Sequence, residues 1–475
     1  MKEGYIKKED RKKILLITDD IRVHSGVAQI ARETVLNTCH HYNWVQIAGA
    51  IKHPDKGKRL DLSEDTNKQT GENDTSVILY PTDGYGNPDL IRNIIKVEKP
   101  DAIFLITDPR YFTWLFQIEN EIRKKIPIAY LNIWDDYPAP MYNKEFYESC
   151  DALFGISKQT VNINKIVLGD KADSKVIKYV PHGLNNHIFK PLKNDNELLT
   201  QMKKELFGGK DYEFVLFFNS RNIRRKQIPD TLLAWKLFLD SLPEEKRDKC
   251  LFLLHTQPVD EHGTDLPAII DYLFPEGHNI KFSQSKLNSE QMNSLYNIAD
   301  TQILLTSNEG WGLALTEALL TGTPIIANTT GGMQDQMRFV DDKGNWFTPS
   351  PEVPSNNRGT YKEHGEWAFP VYPTNLSIQG SPVTPYIWDD RCSAEDAAEK
   401  IKEVYNLSPE ERKKRGEEGM KWALSEEAGF TSKHMGDRVI EGMDELFETW
   451  TPRGNYEFLK DTDIESRVLK HKLIY

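Results

Sequence analysis

The chain has 475 residues, 39% of them hydrophobic and 28% charged, which suits two domains with sizeable cores and an ordinary soluble enzyme. A formal net charge of −12 argues against a general nucleic-acid binder. No apolar run approaches the ~20 residues that span a membrane, the four scattered cysteines give no disulfide framework, and MKEGYIKKEDRKK lacks the apolar core of a signal peptide, so a cytoplasmic protein is expected.

Taken in order, Lys13 to Thr18 reads as a buried strand, followed by Asp19-Asp20, a loop holding Ser25 and Gly26, and a helix from Ala28 to Cys39. Strand, glycine loop and helix is how a Rossmann-like half begins. Cys39-His40-His41 looks like a metal cluster, but adjacent residues rarely point at one ion, and no metal site is expected. Lys52 to Ser76 is polar and poor in apolar residues, which predicts an exposed, mobile loop. The run from Asp83 to Pro88 is a plain turn. Strands follow at Ala102 to Thr107 and at Pro127 to Ile133, the second delivering Trp134-Asp135-Asp136-Tyr137-Pro138. After Ala152 to Ser157 and Tyr179 to Phe189, a linker is expected near Phe189 to Asn194. Phe214 to Phe218 starts a second set of strands and ends in Asn219-Ser220-Arg221-Asn222-Ile223-Arg224-Arg225-Lys226, four cations at a strand's carboxyl end. Of these, Arg224 and Arg225 also fit a solvated surface. An amphipathic helix at Thr231 to Asp240, strands at Leu251 to Leu254 and Ile280 to Phe282, and a helix at Ser289 to Asp300 complete this run.

The stretch LLTSNEGWGLALTEALLTGTPIIANTTGG, Leu304 to Gly332, is the most informative. A short apolar run ends in Thr306-Ser307-Asn308, a parallel strand reaching its carboxyl end. The loop Glu309-Gly310-Trp311-Gly312 follows, then good helix formers from Leu313 to Leu320, stopped by Gly322 and Pro324. A strand at Pro324 to Ala327 closes a βαβ unit. Glu309 sits on the loop and Glu317 roughly 7–8 Å into the helix. A carboxylate accepts from two neighbouring hydroxyls, and the helix N-terminus between them suits a phosphate. Diol, diphosphate and diol together outline a sugar nucleotide. Either glutamate alone reads as a solvated surface residue. The pair, with its glycines and flanking strands, reads as a site.

This stretch resembles the E-x(7)-E segment of retaining glycosyltransferases of the GT-B fold, family 4 and its relatives (glycosyl transferases group 1). The resemblance implies an α/β protein with two Rossmann-like halves facing across a cleft. It places Glu309 on the transferred sugar and Glu317 on the ribose, and gives Gly310, Trp311, Gly312, Leu313, Gly331 and Gly332 donor contacts. Arg221 and Lys226 match the family's arginine and lysine, five positions apart, on the donor diphosphate. Ser25 and Gly26 resemble the family's first loop, facing phosphate and acceptor. Where relatives carry a histidine and aspartate beside the acceptor, this chain has Trp134 or Asp135 and no histidine. Asp135 or Asp136 orients an acceptor hydroxyl or caps a helix; both readings stand. YVPHGLNNHIF resembles the family's exit from its first half, with His182 a candidate for the cleft. Ser283 to Asn288 would sit by the nucleotide base.

The expected division is residues 1–190 on the acceptor side, 191–430 on the donor side with an ordered insertion at about 344–390, and a helix and tail, 431–475, crossing back. The implied activity is transfer of a sugar from a nucleoside-diphosphate sugar to an unidentified hydroxyl with retention of configuration, needing neither metal nor cofactor. A sugar-nucleotide-binding protein without transfer activity and a transferase acting on a modified nucleic-acid base are the alternatives. Sugar, base, acceptor and oligomeric state are not named by the sequence.

Overall fold

The computed structural model describes residues 4–454 except 51, 53, 278, 284, 285 and 353–356. Eight strands form the first sheet, in the order Leu60–Asp61, Val77–Pro81, Asn43–Gly49, Lys13–Asp19, Ala102–Ile106, Ile128–Asn132, Ala152–Gly155 and Val176–Tyr179. All neighbours run parallel except the short first strand, which is antiparallel to its partner. Six parallel strands form the second, in the order Ile280–Phe282, Cys250–His255, Phe214–Asn219, Thr301–Leu304, Ile325–Asn328 and Ala368–Val371. Helices cover both faces, so central strands such as Ala102–Ile106 are apolar and buried at every position. One apolar core runs from a face of the first sheet through the second. Another fills the opposite face of the first sheet, around Phe112, Tyr130 and Tyr147.

The order of strands fixes where a ligand can enter. In the first sheet the chain leaves Lys13–Asp19 to one side and returns at Ala102–Ile106 on the other. In the second it does the same between Phe214–Asn219 and Thr301–Leu304. Such reversals leave a crevice at the carboxyl ends of the strands concerned. The helix Ser432–Thr449 packs on the helix Gly26–Thr38 and on the strands Val176–Tyr179 and Ala152–Gly155. Asp444 accepts from Tyr42 Oη at 2.6 Å and meets His41 Nε2 at 3.1 Å. Of the tail, residues 455–475 lie outside the described residues. No helix among the described residues is long and apolar enough to cross a membrane.

Two segments differ from expectation. Lys52 to Ser76 is not simply a loop, for it holds the edge strand Leu60–Asp61 and the helix Ser63–Thr70. That helix has no apolar stripe to betray it. It is held instead by Gly71 closing it and by Asn67 Oδ1 accepting from Thr75 N and Thr75 Oγ1 at 3.0 and 2.7 Å. The stretch 344–390 includes Ala368–Val371, the outer strand of the six-stranded sheet. Pro370 disguises it; with no N–H to give, proline is tolerated on such an edge. Among the described residues, only the antiparallel hairpin Asn375–Ser381 and Thr384–Arg391 stands apart from both sheets.

Candidate active site

Both crevices open on one cavity of about 570 Å³. From the first sheet come Ser25, Gly26, Asp135 and His182; from the second, Asn219, Arg221, Arg225, Lys226, Glu309 to Leu313, and Glu317. The two cations and two acids that the sequence singles out therefore share one wall system.

Lys226 is carried by a single tight turn, Arg224–Lys226, that follows the strand Phe214–Asn219. The next loop stitches onto it. Ser307 N donates to the Arg225 carbonyl at 2.8 Å and Thr306 Oγ1 to the same oxygen at 3.1 Å. This brings Glu309 onto the cations: its Oε2 pairs with Lys226 Nζ and lies 3.0 Å from Arg225 Nη1. Arg225 Nη1 also donates to the Asn308 carbonyl at 2.6 Å. Burial pushes the Glu309 carboxyl up, but the two cations outweigh it and bring the group down to about 2. Burial holds the Lys226 ammonium below its usual range despite Glu309.

Glu317 lies on the helix Leu313–Leu320, 8% exposed. Tyr296 Oη donates to its Oε2 at 2.6 Å and Asn219 Nδ2 at 3.1 Å. Burial overrides both bonds and lifts the carboxyl to about 7. Gly312 stands at the N-terminus of this helix with φ +86°, a left-handed conformation that a side chain would strain.

Arg221 stands at the rim with its side chain 60% exposed, Nε donating to Asp260 at 3.0 Å. The cation beside Glu309 is Arg225, which the sequence leaves among surface residues; Arg224 is the exposed one. Asn222 explains the arrangement. Buried, it donates to the carbonyls of Gln257, Pro258 and Thr264 and so fixes the segment that carries Asp260. No local pattern announces that contact. Three consecutive cations in one turn were the available signal for Arg225.

Gly331 and Gly332 do not line the cavity. The Gly332 amide donates to the carbonyls of Glu309 and Gly310, both at 3.2 Å. A Cβ on Gly331 would overlap the Glu309 carbonyl oxygen. These glycines brace the glutamate loop from behind. Trp311 is 2% exposed and donates from Nε1 to Thr316 Oγ1 at 2.8 Å, fixing the loop's far side.

On the opposite wall, Ser25 accepts from Ala28 N at 3.0 Å, capping its helix, and donates to Asp19 Oδ2 at 2.6 Å. The two aspartates separate. Asp136 is fully buried and accepts from Tyr137 N at 2.7 Å and Thr330 Oγ1 at 3.3 Å. Asp135 lines the cavity, its carboxyl raised by burial against the pull of Arg225. Neither caps a helix in the structure. Trp134 is buried, donates to the Asp136 carbonyl at 2.7 Å, and lines a smaller neighbouring cavity. His182 lines the main one, 8% exposed, its Nδ1 without a hydrogen-bond partner among the described residues. Burial drives that imidazole down to about 3 although Glu309 opposes the shift. In the stretch expected near the base, residues 284 and 285 lie outside the described residues.

The family Glycosyl transferases group 1 matches residues 276–353, the segment holding Glu309, Glu317, Gly331 and Gly332. An uncharacterized glycosyltransferase of Methanocaldococcus jannaschii is 23% identical over 248 residues, 51% of this chain and 58% of that protein's length. Among solved structures, Anabaena HepE in complex with UDP and glucose superposes with a TM-score of 0.62 at 13% identity, covering 92% of this chain and all of that one. Sucrose-phosphate synthase of Thermosynechococcus elongatus gives 0.64 at 14% identity, covering 92% and 100%. The paired sheets are the GT-B fold, and residues 276–353 match the glycosyl transferases group 1 family.

Proposed function

We propose that the protein is a retaining, metal-independent hexosyltransferase that moves a sugar from a nucleoside-diphosphate sugar to an acceptor hydroxyl. The observation that carries this reading is the convergence of both sheet crevices on one cavity holding Lys226, Arg225, Glu309 and Glu317. Residues 1–190 would face the acceptor and 191–430 the donor. Glu317 takes the ribose hydroxyls. Lys226 and Arg225 take the diphosphate, with Arg221 at the rim, and the amides from Gly310 to Leu313 support them at the helix N-terminus. Lys offers three N–H donors and Arg five, so both can serve phosphate oxygens while still holding Glu309. Glu309 supports the positive character at the anomeric carbon. Ser25 and Gly26 close the phosphate side, and His182, kept neutral, offers a hydrogen-bond partner to the sugar. That HepE was crystallised with UDP and glucose supports a donor of this class.

In the reaction the bond between the anomeric carbon and the phosphate oxygen breaks, its electron pair staying with that oxygen. The acceptor oxygen bonds to the anomeric carbon and its proton passes to the departing phosphate. Fixed cations in a water-poor cleft stabilise the developing charge. Lys226→Ala should lower turnover by ~10²–10³, with Glu309→Gln losing a comparable factor. The assay follows release of nucleoside diphosphate and mass of product across a panel of donors, with and without a chelator. Wild-type turnover in either variant refutes the assignment. Donor binding without any release of diphosphate would favour a non-transferring binding protein instead.

A further inference from the structure

The hairpin Asn375–Ser381 and Thr384–Arg391 leaves the outer strand of the six-stranded sheet and lies on loops of the eight-stranded one. Trp388 N donates to the Tyr137 carbonyl and Tyr142 Oη to the Tyr386 carbonyl, both at 2.8 Å. At the tip, Arg110 donates to the Val383 carbonyl at 3.1 Å, contacts the Thr384 hydroxyl, and is paired with Asp108 through Nε at 2.7 Å. Beneath the hairpin lies a cavity of about 260 Å³, bounded by Arg110, Tyr130, Trp134, Asp135, Thr384 and Ile387. Ile133 and Asp135 line this cavity and the main one alike.

We propose that this hairpin-walled cavity is the acceptor site and takes one neutral, hydroxylated ring of pyranoside type, an assignment that rests on the glycosyl-transfer reading above. An acceptor must deliver a hydroxyl to the anomeric carbon, so its site has to adjoin the donor cavity, and Asp135 stands on the shared wall. The volume falls below the ~300–1,000 Å³ of pockets for drug-sized ligands, which limits the guest to a single ring. Trp134 and Ile387 offer apolar surface to ring C–H groups, while Asp135 and Thr384 offer partners to hydroxyls. Charge decides against an anion. Asp108 and Arg110 offset one another, and the guanidinium is already engaged with Asp108, Val383 and Thr384. Among the described residues, a phosphorylated sugar or a nucleic-acid backbone meets no uncommitted cation on this cavity's lining.

Ligand-observed NMR on the full chain tests the proposal. UDP, GDP and ADP are each tried as donor-site probes. Methyl glycosides of glucose, galactose and mannose, and glucose 6-phosphate, serve as acceptor-site probes with the bound nucleotide present. The expected result is saturable binding of at least one methyl glycoside, at least tenfold tighter than the phosphate. Ile387→Trp and Thr384→Phe, which fill the cavity from the hairpin, should each weaken the glycoside at least tenfold and leave nucleotide affinity unchanged, which also reports that the variants are folded. Unchanged glycoside affinity in both variants overturns the site. So does tighter binding of glucose 6-phosphate, or the failure of every glycoside while a nucleotide binds. Failure of all three nucleotides in the wild type overturns the donor reading first, and the acceptor site with it.

Discussion

Glu309 and Glu317 are the same residue type on one short segment, yet their carboxyl groups lie at opposite ends of the scale, near 2 and near 7. Both are withdrawn from water. The difference is the company: two cations for Glu309, a phenol and an amide for Glu317. Charge cancels the cost of burial where neutral donors do not. Stability follows with opposite signs. The Glu309 contribution is present above its ordinary 4.5 and is lost as pH falls toward 2. Folded Glu317 keeps its proton up to about 7 while the unfolded chain releases it near 4.5, so the folded state holds the extra proton between these values. Its contribution therefore drains away as pH rises across that window. Denaturant melts of wild type and Glu317→Gln from pH 4.5 to 8 should show wild type losing roughly 3 kcal/mol relative to the variant, then a flat difference. Asp335, raised to about 6 by burial, shifts both proteins alike and cancels. Parallel curves throughout would show that Glu317 ionises normally.

Between residue and fold lies the loop that carries Glu309, and its support comes from the later segment that holds Gly331 and Gly332. Gly331 has φ +55° and backs directly onto the Glu309 carbonyl. Gly331→Ala therefore pays twice: ~1–2 kcal/mol for a left-handed non-glycine residue, and an overlap relieved only by moving the glutamate loop. At Gly344, φ +80°, a Cβ would meet nothing within 4 Å, so Gly344→Ala isolates the first cost. Gly331→Ala should lose at least ~2 kcal/mol more than Gly344→Ala and bind donor more weakly, whereas Gly344→Ala keeps donor affinity. Equal melting temperatures and equal affinities would remove the bracing role. The same loop shows what the sequence can and cannot disclose. The strand before Glu309 and the helix after it follow from apolar runs and from Gly322 and Pro324, all local signals. Which cation reaches Glu309 is not local. It depends on Asn222 clamping the Gln257–Thr264 segment, which gives Arg221 a partner in Asp260 and leaves Arg225 to the carboxylate. The strand Ala368–Val371 hides for another reason: four residues with a proline carry too little periodicity, and only its neighbour Ile325–Asn328 makes it a strand.

Across the whole molecule, the loops of the two sheets are held together from two sides. The hairpin reaches over from the second sheet, and the helix Ser432–Thr449 returns to the first. The backbone itself is joined where the helix begins, Leu184 N donating to the Phe430 carbonyl at 3.1 Å and Ser432 N to the Leu184 carbonyl at 2.8 Å. Further along, a Cβ on Gly442 would lie 2.7 Å from the Phe154 ring. Phe154 belongs to the strand Ala152–Gly155, and Ile156 just beyond it lines the main cavity against Gly310. A side chain at 442 thus pushes the returning helix away from a strand that ends at the site. Gly442→Leu should cost ~1–3 kcal/mol through overpacking and weaken donor binding, because the wall that faces Gly310 is displaced. Glu441 is the matched control on the same helix. Its side chain is 67% exposed and pairs with Lys178 at 2.9 Å, a surface pair worth ~0–1 kcal/mol, so Glu441→Ala should change neither stability nor affinity appreciably. Denaturant melts and donor titrations on the two variants separate the outcomes. Donor affinity unchanged in a destabilised Gly442→Leu would mean that the helix stabilises the first sheet without setting the shape of the cavity.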